Sequence, residues 1–381
     1  MSESYKKWLK EKLVKLQAID CYSAGASPET IAKQIGIAPT EIIKLNFNEN
    51  LFMTKAKQTE LIRELAEEID LRMYPEDEEV KLREKLTGYI KTPKDCLVVG
   101  NASDELIDRI VRLFVEKGDS VVSFSPTFAI PRLCVKRQEG EYIAVPLLSN
   151  LQLDVKGLLS KFSDKTRLLY ICSPNNPTSN QFKLDDVETL AKEFPGIVIL
   201  DEAYGEFADY SFVPRIREFD NMIILRTFSK AFGLAALRLG YAVANPELAK
   251  ILTEKSPLPY PVSAFTLRMG CKMLENVELM EKSVRELKSE RGKLINKLNQ
   301  IKGVEAFDSQ ANFLLVNTQK PCNEVNESLI KRGILLKKLG KILQYDNCFR
   351  VTVGLPEMNA KLIEALKQIQ GDENENRRSV P

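Results

Sequence analysis

Between residues 96 and 227 the chain sets short apolar runs against stretches of helical spacing, and closes each run with a polar or glycine-containing cluster. Cys96-Leu97-Val98-Val99 leads into GNASDE, Ser120-Val121-Val122-Ser123-Phe124 into SPTF, and Leu168-Leu169-Tyr170-Ile171-Cys172 into SPNNPT. Ile197-Val198-Ile199-Leu200 leads into DEAY, and Met222-Ile223-Ile224-Leu225 into RTFSK. Runs with so little polar alternation suit strands buried on both faces, the mark of a mostly parallel sheet covered by helices. The expected class is α/β. In open sheets of this kind ligands bind outside the carboxyl ends of the strands, so the five clusters are expected to converge on one site.

The flanks read differently. Residues 4–19 and 28–35 have helical spacing, the second segment opened by Ser27-Pro28. Beyond about residue 265, Val284, Leu287, Leu294, Leu298 and Ile301 mark a long amphipathic helix. Short strands at 304–307, 312–316, 334–336 and 349–353 follow, with helices near 323–332 and 357–369. The expected division is a large domain over 47–265, a smaller α+β domain built from 1–46 and 266–370, and a polar, disordered tail at 371–381.

Composition removes several function classes. Lys+Arg 55 against Asp+Glu 53 leaves a formal charge of +2 with no basic block, so a small-molecule partner is expected rather than nucleic acid or an anionic membrane. The 7 cysteines are scattered and form no C-x-x-C pair, which argues against a disulfide framework or a zinc site and for reduced thiols in the cytoplasm. The charged N-terminus lacks the apolar run of a signal peptide, and no stretch approaches a membrane span. Histidine is absent altogether, which excludes Ser-His-Asp and Cys-His pairs, H-E-x-x-H metal sites and any imidazole base. Proton chemistry must then run on Lys, Asp, Glu, Tyr or a cofactor.

Each cluster has a functional and a structural reading. Gly100-Asn101-Ala102-Ser103-Asp104-Glu105 can cradle a phosphate on free backbone N–H groups and the Ser103 hydroxyl, or can simply cap a helix. It is neither a G-x-G-x-x-G nor a Walker loop, which counts against NAD enzymes and NTPases. Asp201 follows four apolar residues, and a carboxylate at that depth needs a partner: a ligand, a helix terminus or an ion pair. Tyr204 and Asn176 stand at neighbouring strand ends. Lys230, inside TFSKAFGLAALRLGY, is either a snorkelling lysine or a ligand group. Arg238 lies eight residues on, about two turns if the segment is helical, so both cations can border one anion. With Ser229 and Phe128, the inventory matches an aromatic aldehyde phosphate held as a Schiff base.

TFSKAFGLAALRLGY, DEAYGEF, SPNNPTSN, GNASDELI, LNFNENLF, MYP at 73–75, QANFLLV at 310–316 and CFRVTVG at 348–354 resemble the class II, fold-type I aminotransferases that use pyridoxal 5'-phosphate. The likeness is greatest to the histidinol-phosphate aminotransferases, and the motifs keep family order over roughly residues 20 to 355. The resemblance implies that Lys230 forms the Schiff base and shuttles the proton, and that Asp201 pairs with the protonated ring nitrogen. Tyr204 and Asn176 would bond the ring's phenolic oxygen, and Phe128 would stack on its face. Ser103, Asp104, Ser229 and Arg238 would hold the phosphate, with Tyr74 reaching in from the second subunit of a homodimer. Arg350, Lys337, Tyr22 and Asn50 would form the substrate side, Arg350 taking a carboxylate. Outside that motif, Arg350 reads as a surface arginine on an edge strand.

Three departures bear on this picture. Ser179 stands where the family usually has glycine, so the turn is expected to be made differently. Asn48-Glu49-Asn50-Leu51-Phe52-Met53-Thr54 lacks the prolines and glycine of the family's entrance loop. Lys337 replaces an arginine assigned to the substrate phosphate, and lysine supplies a point charge rather than a planar fork. An aromatic or broad-range aminotransferase and a threonine-phosphate decarboxylase are the alternatives within the fold. A non-enzymatic relative is disfavoured because Lys230 and Asp201 are both kept.

Overall fold

The computed structural model describes residues 2–19, 25–255 and 257–371. Near the start of the chain, β1 (Ile43–Lys44) is a two-residue strand. The apolar runs then form most of one seven-stranded sheet: β2 (Leu97–Gly100), β3 (Ser120–Ser125), β4 (Glu141–Pro146), β5 (Thr166–Cys172), β6 (Ile197–Asp201), β7 (Met222–Thr227) and β8 (Gly240–Ala244). Their order is β2-β8-β7-β6-β5-β3-β4. From β4 through β7 neighbours run parallel, whereas β8 is antiparallel to both β2 and β7. Every residue of β2, β7 and β8 is buried, as strands covered on both faces require.

The later strands are β9 (Val304–Ala306), β10 (Phe313–Thr318), β11 (Ile334–Leu335), β12 (Lys337–Ile342) and β13 (Tyr345–Thr352). Four of them make an antiparallel sheet in the order β12-β13-β10-β9, and β11 pairs in parallel with β1. That pairing brings the chain after β1 against the small sheet: the Thr352 amide donates to Leu45 O, and the Asn48 amide donates to the Thr352 hydroxyl at 2.9 Å. Residues 45–50 are thereby held over the carboxyl ends of the central strands.

The amphipathic helix spans Val277–Leu298, with Val284, Leu287, Leu294 and Leu298 buried on one side. The helix Ala264–Glu275 packs on the helices Lys55–Glu68 and Glu78–Ile90. Pro28–Ile35 begins as its sequence specifies, with the Ser27 hydroxyl accepting from the Thr30 amide. Among the described residues no helix is long and apolar enough to cross a membrane.

Candidate active site

All five strand-end clusters open into one cavity of about 370 Å³. Ser103 and Asp104 come from GNASDE, Phe128 from SPTF, Asn176 from SPNNPT, Asp201 and Tyr204 from DEAY, and Ser229 and Lys230 from TFSK. Phe47, Asn48, Ile130, Arg238 and Arg350 complete much of the wall.

Asp201 ends β6 and is only 2% exposed. The Tyr170 hydroxyl donates to its Oδ2 at 2.7 Å, and the Ala203 amide donates to Oδ1 at 3.0 Å. Burial pushes the carboxyl up to about 6, and these two bonds pull it back. Both donors are neutral, so the carboxylate brings an uncompensated negative charge to the cavity floor.

Lys230 follows β7 in a turn rather than a helix, and the segment up to Arg238 contains one short 3₁₀ turn, Ala235–Leu237. The approach of the two cations through two helical turns is therefore corrected. Arg238 comes back to the site because the chain reverses, with its own φ at 53° in the left-handed region. Its guanidinium donates to Asp104 Oδ2 at 2.9 Å and to the Ser229 hydroxyl at 3.4 Å. Lys230 does not snorkel: its Nζ points into the cavity and donates to Phe47 O at 3.2 Å. Desolvation, and after it the positive charge of Arg350, lowers the ammonium to about 8.

At the GNASDE turn, Asn101 makes no side-chain capping bond to the helix Ala102–Phe114. That helix thus begins beside Ser103 and the Arg238 guanidinium with N–H groups directed outward, a suitable anion site. The turn is pressed against β8: a Cβ on Gly240 would lie 2.6 Å from Ala102 C and Ser103 N, so only glycine permits this approach.

On the opposite wall, Asn48 donates to the Tyr204 hydroxyl at 2.9 Å, and Arg350 donates to Asn176 Oδ1 and Asn46 O, each at 2.7 Å. Arg350 lies on β13, which is interior to its sheet, so the edge-strand reading is corrected. Beneath the DEAY turn, Arg226 forms salt bridges to Glu202 at 3.1 Å and Glu206 at 2.8 Å, all three residues buried or nearly so.

Among the described residues, three expected site residues are not brought to the cavity. Asn50 is buried, and its amide donates to Ala231 O at 2.7 Å and to the Ser283 hydroxyl at 2.9 Å, so it braces the turn after Lys230 instead of meeting substrate. Asn48, with φ at 56°, takes the place on the wall. Lys337 lies opposite Arg350 in the ladder but on the outer strand, outside the wall. Tyr74 is 74% exposed and stacks on Tyr260 with ring centroids 5.0 Å apart. Tyr22 lies outside the described residues. Ser179 also departs from expectation, since it adopts φ 66° and keeps the left-handed turn despite its side chain. Sequence reasoning misses Tyr170, hidden in an apolar run, and Asn48, whose only signal is its place in LNFNEN.

The cavity therefore brings together a buried anion, a cluster of hydroxyls with a helix start and a cation, an amine and aromatic walls. These features fit an aromatic ring with a protonatable nitrogen and a phosphate arm. A family model described as aminotransferase class I and II matches residues 40–366. A histidinol-phosphate aminotransferase of Caldanaerobacter subterraneus is 37% identical over 86% of this chain and 92% of its own. Another from Methanocaldococcus jannaschii is 33% identical over 95% of this chain and 99% of its own. The crystal structure of histidinol-phosphate aminotransferase from Sinorhizobium meliloti, in complex with pyridoxal-5'-phosphate, aligns with a TM-score of 0.83 at 24% identity, over 94% of this chain and 97% of that one. At that identity the match speaks for the fold.

Proposed function

The chain belongs to the class I and II aminotransferase family, and on that premise we propose that it moves an amino group between glutamate/2-oxoglutarate and imidazole-acetol phosphate/histidinol phosphate, a step of histidine biosynthesis, with pyridoxal 5'-phosphate as cofactor. The observation that carries this reading is the meeting of Lys230, Asp201 and the Ser103–Ser229–Arg238 cluster on one cavity. The bound cofactor supplies an aldehyde for Schiff-base exchange and a ring that withdraws electrons from the substrate carbon.

The chain's own residues account for the rest. Asp201 holds a proton on the ring nitrogen by its negative charge. Ser103, Ser229, Arg238 and the start of the helix Ala102–Phe114 bind the phosphate. Lys230 would hold the cofactor through its Nζ and would serve as the base for the substrate α-proton; an amine lowered to about 8 has a useful neutral fraction near neutrality. Tyr204, held by Asn48, and Asn176, held by Arg350, would bond the ring's phenolic oxygen, and Phe128 would stack on the ring. Arg350 receives the substrate carboxylate as a planar fork.

A homodimer is part of the proposal. Leu71, Met73, Tyr74, Leu258 and Tyr260 are all exposed large apolar residues, and their burial against a second copy would carry Tyr74 toward that copy's phosphate. Light scattering on the purified protein should give twice the 43.2 kDa chain mass. The cysteines among the described residues, all free and scattered, support a reducing, cytoplasmic setting.

A second reading has a specific observation in its favour. With Lys337 off the wall, the part of the cavity beyond the cofactor groups is made of Phe47, Ile130 and Arg350, which also suits an aromatic amino acid. Turnover with 2-oxoglutarate of histidinol phosphate, phenylalanine and threonine phosphate separates the possibilities. Histidinol phosphate should be the best substrate, and equal or better turnover of phenylalanine would overturn the assignment. Carbon dioxide release from threonine phosphate would indicate the decarboxylase reaction instead.

A further inference from the structure

Tyr170 lies on β5, two residues before Cys172, which pairs in register with Asp201. Its side chain is fully buried, and a phenylalanine would fill the same apolar space without bringing a hydroxyl that must be satisfied. That hydroxyl is satisfied by Asp201 Oδ2 at 2.7 Å, and Asp201 lines the cavity whereas Tyr170, behind it in the sheet core, does not. The groups facing Asp201 are Tyr170 and Cys172 from β5, Glu202 and Tyr204 from its own strand end, and Asp104 from the helix Ala102–Phe114. Asp104 and Glu202 add to burial in disfavouring the anion, whereas the Tyr170 hydroxyl and the Ala203 amide favour it.

We propose that Tyr170 is a positioning residue for the cofactor: by clamping Asp201 Oδ2 it fixes the plane of the carboxylate and keeps it ionised, and so sets the lower pH limit at which the ring nitrogen is held. The inference rests on the reading of this cavity as a pyridoxal phosphate site. Below the Asp201 pKa the carboxyl must release a proton before it can pair with a protonated ring, so affinity falls as pH falls. Loss of the Tyr170 donor raises that pKa and moves the falling limb to higher pH.

The test is the dissociation constant of pyridoxal phosphate from the apo protein, followed by fluorescence quenching between pH 5.5 and about 8.5, a range that brackets the altered carboxyl. Tyr170→Phe should weaken binding at the acid end roughly tenfold for every pH unit by which the limb moves, and much less at the alkaline end. In an Asp201→Asn background the same change should have no pH-dependent effect. 3-Fluorotyrosine installed at position 170 alone keeps the shape and strengthens the donor, so it should move the limb to lower pH even if Tyr170→Phe does not fold. Superimposable pH profiles, an equal loss at every pH, or no movement with the fluorinated residue would each overturn the proposal. A wild-type protein that binds no pyridoxal phosphate would instead remove the functional reading beneath it.

Discussion

Arg226→Met should destabilise the apo protein by about 3–5 kcal/mol, the cost of leaving buried carboxylates without their counter-ion. The guanidinium lies under the DEAYG turn so tightly that a Cβ on Gly205 would be 2.5 Å from Nη1. Its bridges to Glu202 and Glu206 run at 3.1 and 2.8 Å, with side-chain exposures of 8%, 3% and 6% for the three groups. Burial already raises the Glu206 carboxyl, with the Arg226 charge opposing the rise, so the variant must raise it further. A carboxyl whose folded pKa exceeds its unfolded value weakens the fold above that folded pKa, and the deficit closes as pH falls toward the unfolded value of 4.5. Each titrating group changes stability by at most about 1.4 kcal/mol per pH unit. Urea denaturation of wild type and variant at several values between pH 5 and 8 therefore gives both the size and the slope. A deficit under about 1 kcal/mol at pH 8, or one that grows on acidification, would refute the assignment of Arg226 as the counter-ion of these buried carboxylates.

Further outcomes follow from the site. Arg238→Ala removes a charged donor from the proposed phosphate site and should weaken pyridoxal phosphate binding by about 10–100-fold in equilibrium titration, whereas an unchanged affinity would place the phosphate elsewhere. Ser179→Gly relieves a side chain at φ 66° and should leave stability equal or up to about 1 kcal/mol higher; a clear loss would show that the serine's weak bond to Asp308 O matters more than the strain. The rate at which the apo protein captures pyridoxal phosphate should rise about tenfold per pH unit up to about 8 and then level off, as Lys230 becomes neutral. A rise continuing toward pH 10 would mean an ordinary lysine.

Much of this architecture is legible in sequence because buried parallel strands write themselves as unbroken apolar runs. β2, β3, β5, β6 and β7 are recoverable that way, and their polar endings give Ser103, Phe128, Asn176, Asp201, Tyr204, Ser229 and Lys230. β4 is less visible because it is an edge strand of mixed exposure, and β8 because it is embedded in the segment that carries Arg238. The misses have a common cause: a side chain's direction depends on turns and pairings that spacing does not encode. Asn48 and Asn50 are two residues apart, yet one faces the cavity and the other props the Ala231 turn. Tyr170 reads as one more apolar strand residue until its hydroxyl is seen on Asp201. Tyr74 does not line its own chain's cavity, so its expected role depends on a second subunit.

The central claim is that Lys230 is the amine that carries the cofactor. Incubation of the purified protein with pyridoxal phosphate, borohydride reduction, proteolysis and mass spectrometry should place the reduced adduct on the peptide containing Lys230. Lys230→Ala should remove both the adduct and the yellow colour. An adduct on another lysine with Lys230 unmodified, or a wild-type protein that stays colourless and unlabelled, would contradict the account.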